Sequence, residues 1–143
     1  MRVLGLDLGE KTIGIAVSDP LGWTAQAVEV IRRNGNVNSE IRRLQELIKE
    51  YGVELILLGL PKNMNGTVGD QGQKAMDYAS MIGEKLGVPV KLWDERLSTV
   101  AAGRVLLEAD MSRAKRKKII DKVAAAVILQ GYLDSMVNSS PNR

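Results

Sequence analysis

Three carboxylates occupy positions where a charge needs a reason. Asp7 lies inside an apolar, period-two stretch, where an unpartnered charge would cost several kcal/mol unless it met a cation or hydrogen-bond donors. Glu95 follows directly on the apolar run ending at Trp93, at the C-terminal edge of an expected strand, where open α/β sheets place their ligands. Asp121 opens a helical pattern whose positions three, four and seven residues on are Ala124, Ala125 and Ile128, a small surface that lets a helix approach a sheet closely. Each has an ordinary reading alone: a hairpin carboxylate, a solvated Glu paired with Arg96, and a helix-start acid favoured by the dipole. Their convergence on one spot would be different. Two carboxylates about 5 Å apart repel by roughly 3 kcal/mol at an effective dielectric of ~20, so such a cluster calls for a cation.

The residue alphabet narrows the chemistry further. The chain has no His and no Cys. Ser-His-Asp triads, cysteine nucleophiles, imidazole bases and Cys/His zinc sites are thereby excluded. All-oxygen ligation suits Mg²⁺ or Mn²⁺, and two such ions about 4 Å apart can hold a phosphodiester and activate water without a histidine base. Asp7, Glu95 and Asp121 are thus both the candidate metal ligands and the candidate catalytic groups.

A polyanionic partner finds some support in the charge distribution. The net charge is only +3, but residues 104–122 hold seven basic and three acidic side chains. Arg113, Lys115, Arg116, Lys117 and Lys118 immediately precede Asp121. Such a run reads either as a solvated connector or as a grip on a phosphate backbone. Lys62 and Asn63, in a loop that could be a substrate-gripping flap, and Arg96 are further candidate substrate contacts. With two Trp, three Tyr and no Phe, the chain lacks a base-stacking platform, so backbone and shape should dominate recognition.

The elements that must position these groups can be read from the patterning. Leu4, Leu6 and Leu8 alternate with Val3, Gly5, Asp7 and Gly9, a strand with a carboxylate on one face. Ile13, Ile15 and Val17 supply a second strand and residues 25–31 a third, joined by short turns as an antiparallel meander. A helix with Ile41, Leu44, Leu47, Ile48 and Tyr51 on one stripe follows, capped by Asn38 or Ser39 and stopped by Gly52. Residues 53–59 read as a buried strand, 61–72 as a mobile loop, and then a helix carries Ala75, Ala79, Ile82 and Leu86 and stops at Gly87. Residues 88–93 form another strand, Ser98 or Thr99 caps a short helix to about Ala109, and a polar connector over 110–118 leads to a last helix. That helix has Ile120, Val123, Val127 and Gly131 on its stripe. The expectation is a single α/β three-layer domain over 1–138, with a mixed five-stranded sheet and a frayed tail at 139–143.

The 143 residues and 15.6 kDa suit one domain. With 45% apolar and 26% charged residues, the composition is that of a soluble globular chain. The longest apolar stretch, 123–129, is far short of the ~20 residues of a membrane span. No secretory signal pattern opens the chain, and a cytoplasmic location is expected.

The segments LGLDLGEKTIGIAVSD at 4–19, LLGLPKNMNGT at 57–67, WDERLSTVAA at 93–102 and DKVAAAVILQGYL at 121–133 together resemble the YqgF family. These are Holliday-junction-resolvase-like proteins also regarded as the pre-16S rRNA nuclease. The resemblance implies an RNase H-like fold, an acidic constellation at Asp7, Glu95 and Asp121, and metal-dependent phosphodiester hydrolysis in maturing the 5′ end of pre-16S rRNA, with branched DNA as another substrate. The chain departs from the family's opening motif at Thr12, where a basic residue is frequent, while Asp7 and Gly9 are in place. Two other readings remain open. Asp7-Leu-Gly with Thr12-Ile-Gly also resembles the phosphate loop of actin-like ATPases, although these close two lobes on the nucleotide and this chain supplies one. A nucleic-acid-binding module that does not cut is the other. A junction-cutting enzyme should be a symmetric homodimer, whereas RNA trimming is compatible with a monomer.

Overall fold

A computed structural model describes residues 1–97 and 113–138. The opening meander is β1 (Arg2–Leu8), β2 (Thr12–Ser18) and β3 (Ala25–Arg32), followed by α1 (Val37–Tyr51), β4 (Val53–Leu60), α2 (Asp70–Leu86) and β5 (Val90–Asp94). A 3-10 turn, Glu95–Leu97, ends this run, and α3 (Arg113–Asn138) completes the described chain. The sheet order is β3-β2-β1-β4-β5. Pairing is antiparallel from β3 through β2 to β1 and parallel from β1 through β4 to β5, the mixed sheet that the patterning predicts.

Period-two alternation divides the sheet residues between two cores. On one face Leu4, Leu6, Ile13, Ile15, Ile56 and Leu58 pack with Ile41, Leu44 and Leu47 of α1 and Ala75, Tyr78, Ala79 and Ile82 of α2. On the other, Val3, Ala16 and Leu57 pack under Ala124, Ala125, Ile128, Leu129, Tyr132 and Leu133 of α3. The result is two helices, a sheet and a third helix in three layers. No helix among the described residues is long and apolar enough to cross a membrane.

Close approach of α3 depends on missing side chains. A Cβ on Gly5 would stand 3.0 Å from Leu129 Cβ and 3.3 Å from the Ala125 carbonyl. The expected stripe through Val123 is displaced: Val123 is exposed, and the face turned inward carries Ala124, Ala125, Ile128 and Leu129, with Gly5 and Gly59 making the room on the sheet.

Other boundaries also differ from expectation. The N-cap of α1 is Asn36, whose side chain accepts from the Ser39 amide at 3.2 Å, rather than Asn38 or Ser39; Gly52 closes the helix in the left-handed region at φ 64°. The basic run is not a connector, because α3 already begins at Arg113 and takes it into its first turns. Lys and Arg are good helix formers, and no Gly or Pro interrupts them. The short helix expected from Ser98 or Thr99 and the tail at 139–143 lie outside the described residues.

Candidate active site

Asp7 stands next to last on β1, paired with Gly14 of β2. Alternation turns its side chain to the α3 face, which it shares with Val3 and Gly5. Beyond Leu8 the chain reverses, and the Gly9 amide donates to the Thr12 carbonyl at 2.8 Å.

Glu95 reaches the same face from β5. Gly5 is opposite Leu57 on β4, so Asp7 and Gly59, each two residues further, occupy neighbouring positions on adjacent strands about 4.8 Å apart. Gly59 in turn pairs with Trp93 of β5, and the chain enters the 3-10 turn two residues later. A Cβ on Gly59 would lie 3.2 Å from Glu95 Cγ and 3.4 Å from its Oε1. The Glu95 carboxylate thus occupies the room that Gly59 leaves, on the face of the sheet to which Asp7 turns.

Asp121 lies on α3, whose direction follows from its contacts. Gln130 accepts from the Ala25 amide at 2.9 Å and donates to the Trp23 carbonyl at 3.0 Å, so the later turns lie where β3 begins and β2 ends. Ala125 and Leu129 cover Gly5, and Ile128 covers Gly59. The helix therefore runs against β1, and Asp121, one turn before Ala125, stands about 6 Å further toward the end of the sheet that carries Asp7. Its side chain is outside the described residues. Among the described residues no three acidic side chains group closely enough to hold a metal ion, and Asp7 and Glu95 are the two of the three that are described. As hard oxygen donors in a chain without His or Cys, they fit Mg²⁺ or Mn²⁺ and not a soft metal.

The segment between β4 and α2 is the loop expected, and hydrogen bonds within it shape a turn. The Asn63 amide donates to Thr67 O at 2.9 Å, Gly66 N to Asn63 O at 2.9 Å, and Asn63 Nδ2 to Thr67 Oγ1 at 2.9 Å. Gly66 holds φ at 87°, a value that disfavours any side chain. Polar Asn and Thr side chains close the turn on itself, which the low apolar content conceals. Lys62, Asn63, Asp70 and Gln71 line a cavity of about 440 Å³ at the first turn of α2, where the Gly69 N-cap supplies no side-chain acceptor.

Arg96 is committed to this loop. Its guanidinium clasps Asp94, with Nη2 to Oδ2 at 2.7 Å and Nε to both oxygens at 3.1 Å, and Nη1 reaches the Asn63 and Met64 carbonyls at 3.4 Å. The hydrogen bond from Arg96 holds the Asp94 carboxyl below the ordinary range, and Lys62 Nζ at 3.9 Å adds to the effect. The ordinary reading of Glu95 pairs it with Arg96, the candidate substrate contact; in the structure the Arg96 guanidinium bonds Asp94. Neither Asp94 nor this strut was singled out in the sequence, where only the spacing Asp-Glu-Arg hinted at it.

Of the basic run, Lys115 is described as exposed on the first turn of α3, at the same end of the sheet as Asp7. The side chains of Arg113, Arg116, Lys117 and Lys118 are outside the described residues.

The family model described as "RuvX: Holliday junction resolvase" matches residues 1–135. Curated relatives include a protein of Desulforamulus reducens, 63% identical over 135 residues, covering 94% of this chain and 98% of that one. Another, from Clostridium novyi, is 60% identical over 136 residues, with 95% and 100% covered. Both are named "Putative pre-16S rRNA nuclease". Among solved structures, T. thermophilus RuvC in complex with a Holliday junction substrate aligns with a TM-score of 0.61 at 16% identity, covering 98% of each chain. A second T. thermophilus RuvC structure gives 0.57 at 15% identity, covering 97% and 98%. At these identities the likeness is one of fold, the RNase H-like arrangement.

Proposed function

Because this chain belongs to the RuvX/YqgF family, we propose that it is a metal-dependent phosphodiester hydrolase that processes the 5′ end of pre-16S rRNA. The observation that carries this reading is the Glu95 carboxylate seated over Gly59, on the sheet face to which Asp7 turns and at the end toward which the α3 N-terminus points. Family and nuclease-named relatives support cleavage of nucleic acid; metal use, site residues and substrate are parts of the proposal.

Asp7, Glu95 and Asp121 would hold Mg²⁺ or Mn²⁺, two ions in this reading. Bound there, they supply an activated water and stabilise the leaving oxygen. The protein's own part is positional. Asp7 is fixed by ladder bonds to β2, Glu95 by a turn anchored through Asp94 and Arg96, and Asp121 by the alanine face that docks α3. Lys62 and Asn63 would contact substrate from the cavity at the first turn of α2, which they line with Asp70 and Gln71. Arg113, Lys115, Arg116, Lys117 and Lys118 open α3, where cations oppose the helix dipole. Their placement gives no helix stability and complements a polyanion.

A second reading, cleavage of branched DNA, is favoured by the description of the matching family. The two part on assembly, since paired cuts at a junction need a symmetric dimer. The deciding experiment incubates the protein, with Mn²⁺, with Mg²⁺ and with chelator, against precursor 16S rRNA and a four-way junction side by side. Metal-dependent shortening of the RNA 5′ end is expected. Binding of either substrate without cleavage under all conditions would leave a binding module instead.

A further inference from the structure

On the opposite face of the sheet, a buried charge network reaches the turn that follows Asp7. Glu40 of α1 is 1% exposed. Its Oε2 accepts from Arg33 Nε at 3.1 Å and its Oε1 from the Tyr78 hydroxyl at 3.0 Å. Arg33 lies over the Tyr78 ring, 5.5 Å from its centroid, and its Nη1 donates to the Gly9 carbonyl at 2.9 Å. The Arg33 amide donates to the Lys11 carbonyl at 2.8 Å. One residue thus holds the β1–β2 turn twice, by side chain and by main chain.

Stability is a poor explanation for this arrangement. A buried ion pair roughly breaks even against apolar replacement, and Ile41 and Leu44 on the same helix show that aliphatic side chains fit the surroundings. A carboxylate so placed does one thing that a leucine cannot: it fixes the plane of the guanidinium, so that a second arm of the fork points at one carbonyl. That carbonyl belongs to Gly9, two residues after Asp7. The site is tight, since a Cβ on Gly9 would lie 3.0 Å from the Thr12 carbonyl. On the outer side the turn borders a cavity of about 360 Å³ lined by Gly9, Glu10, Arg33, Glu40, Gln71 and Lys74, where the exposed Gln71 Nε2 ties it to α2 by donating to Glu10 Oε1 at 3.1 Å.

We infer that Arg33, aimed by Glu40, is a positioning residue that sets Asp7 through the Gly9 carbonyl. The inference rests on the hydrolase reading for its effect on rate, but not for its effect on the turn. Displacements near 1 Å at a reacting group cost on the order of 10²-fold in rate, so loss of one anchor should be visible in turnover before it is visible in folding.

The test compares wild type with Arg33→Lys, which keeps the charge and loses the fork, and with Glu40→Gln, which keeps the shape. Single-turnover cleavage of precursor rRNA with Mn²⁺, RNA affinity in Ca²⁺, melting temperature and amide exchange are measured on each. Arg33→Lys should cut about 10- to 100-fold more slowly at saturating RNA, with affinity within about 2-fold, and the Gly9 amide should exchange faster. A purely structural role would lower the melting temperature and leave the rate of folded protein unchanged; that result overturns the inference. If Glu40→Gln does not fold, Arg33→Lys carries the test alone. If wild type cleaves neither RNA nor junction, the hydrolase reading fails, and Gly9 exchange still decides: unchanged protection in Arg33→Lys overturns the proposed anchor.

Discussion

Glu95 rests on Gly59: the carboxylate Oε1 is 3.4 Å and Cγ 3.2 Å from where a Cβ on that glycine would be. Neither is near the other in sequence, and the register of β4 with β5 brings them together. Gly59→Ala is therefore expected to displace Glu95 and the Ile128 Cδ1 that stands 3.0 Å away, both of them flexible ends. Overpacking costs about 1–3 kcal/mol, and swinging ends hold the cost low in that range, so activity should fall more than stability. Gly5→Ala is the counterpart. It meets Leu129 Cβ at 3.0 Å, an atom that cannot swing away, and should lower the melting temperature more. Wild-type cleavage by Gly59→Ala would remove Glu95 from the reaction.

Asp7→Asn should abolish cleavage, by at least about 100-fold if it ligates an essential ion, while leaving RNA affinity within a few fold. The same change should raise the melting temperature in chelator by relieving carboxylate repulsion, and Mn²⁺ should restore the wild type's relative stability. Thermal melts of both proteins with and without Mn²⁺ check it. Identical melts in all four conditions would contradict a shared cation site.

Asp94 gives a pH signature. Its carboxyl is held below the ordinary range, chiefly by the hydrogen bond from Arg96. A depressed folded pKa contributes stability that is complete above the unfolded value, near 4, and disappears as pH falls through the folded one. Asp94→Asn should therefore melt below wild type at pH 7, with the gap closing below about pH 4. The effect should be small, since Arg96 is well exposed to solvent. A gap that is constant down to pH 3 would place the loss elsewhere than in the Asp94–Arg96 pair.

Replacing Lys115, Arg116, Lys117 and Lys118 by Gln should weaken RNA binding and reduce the slope of log affinity against log salt by up to about 0.7 for each phosphate left without its cation. Fluorescence anisotropy from 50 to 300 mM salt measures it. Helix content should hold, because Gln is nearly as good a helix former as Lys. An unaltered slope would return this segment to a solvated helix start.

Much of the fold was legible because it depends on local pattern. Leu4 and Leu6 against Val3 and Gly5 gave the faces of β1, and Gly52 and Gly87 marked the helix ends. The rest depends on partners that local pattern does not reveal. Glu40 looks like a solvated residue at the start of α1, and only the arrival of Arg33 and Tyr78 explains its burial. Val123 has the hydrophobicity of a core residue, yet the turn of α3 that docks on Gly5 buries Ala124, Ala125, Ile128 and Leu129 and leaves Val123 outside. Asp7 and Glu95 are visible as charges out of place; that both face the α3 side at one end of the sheet follows only from the β1–β4–β5 register.

Among the described residues, one face of the sheet is closed by α3 alone, and that helix leaves the ribosome after all five strands. Until it emerges, Val3, Ala16 and Leu57 lack the α3 side chains that pack on them, and the third proposed acid is absent. On the proposed reading, a half-made copy would lack one of its three acids, and any hydrolytic capacity would arrive only once that helix is out.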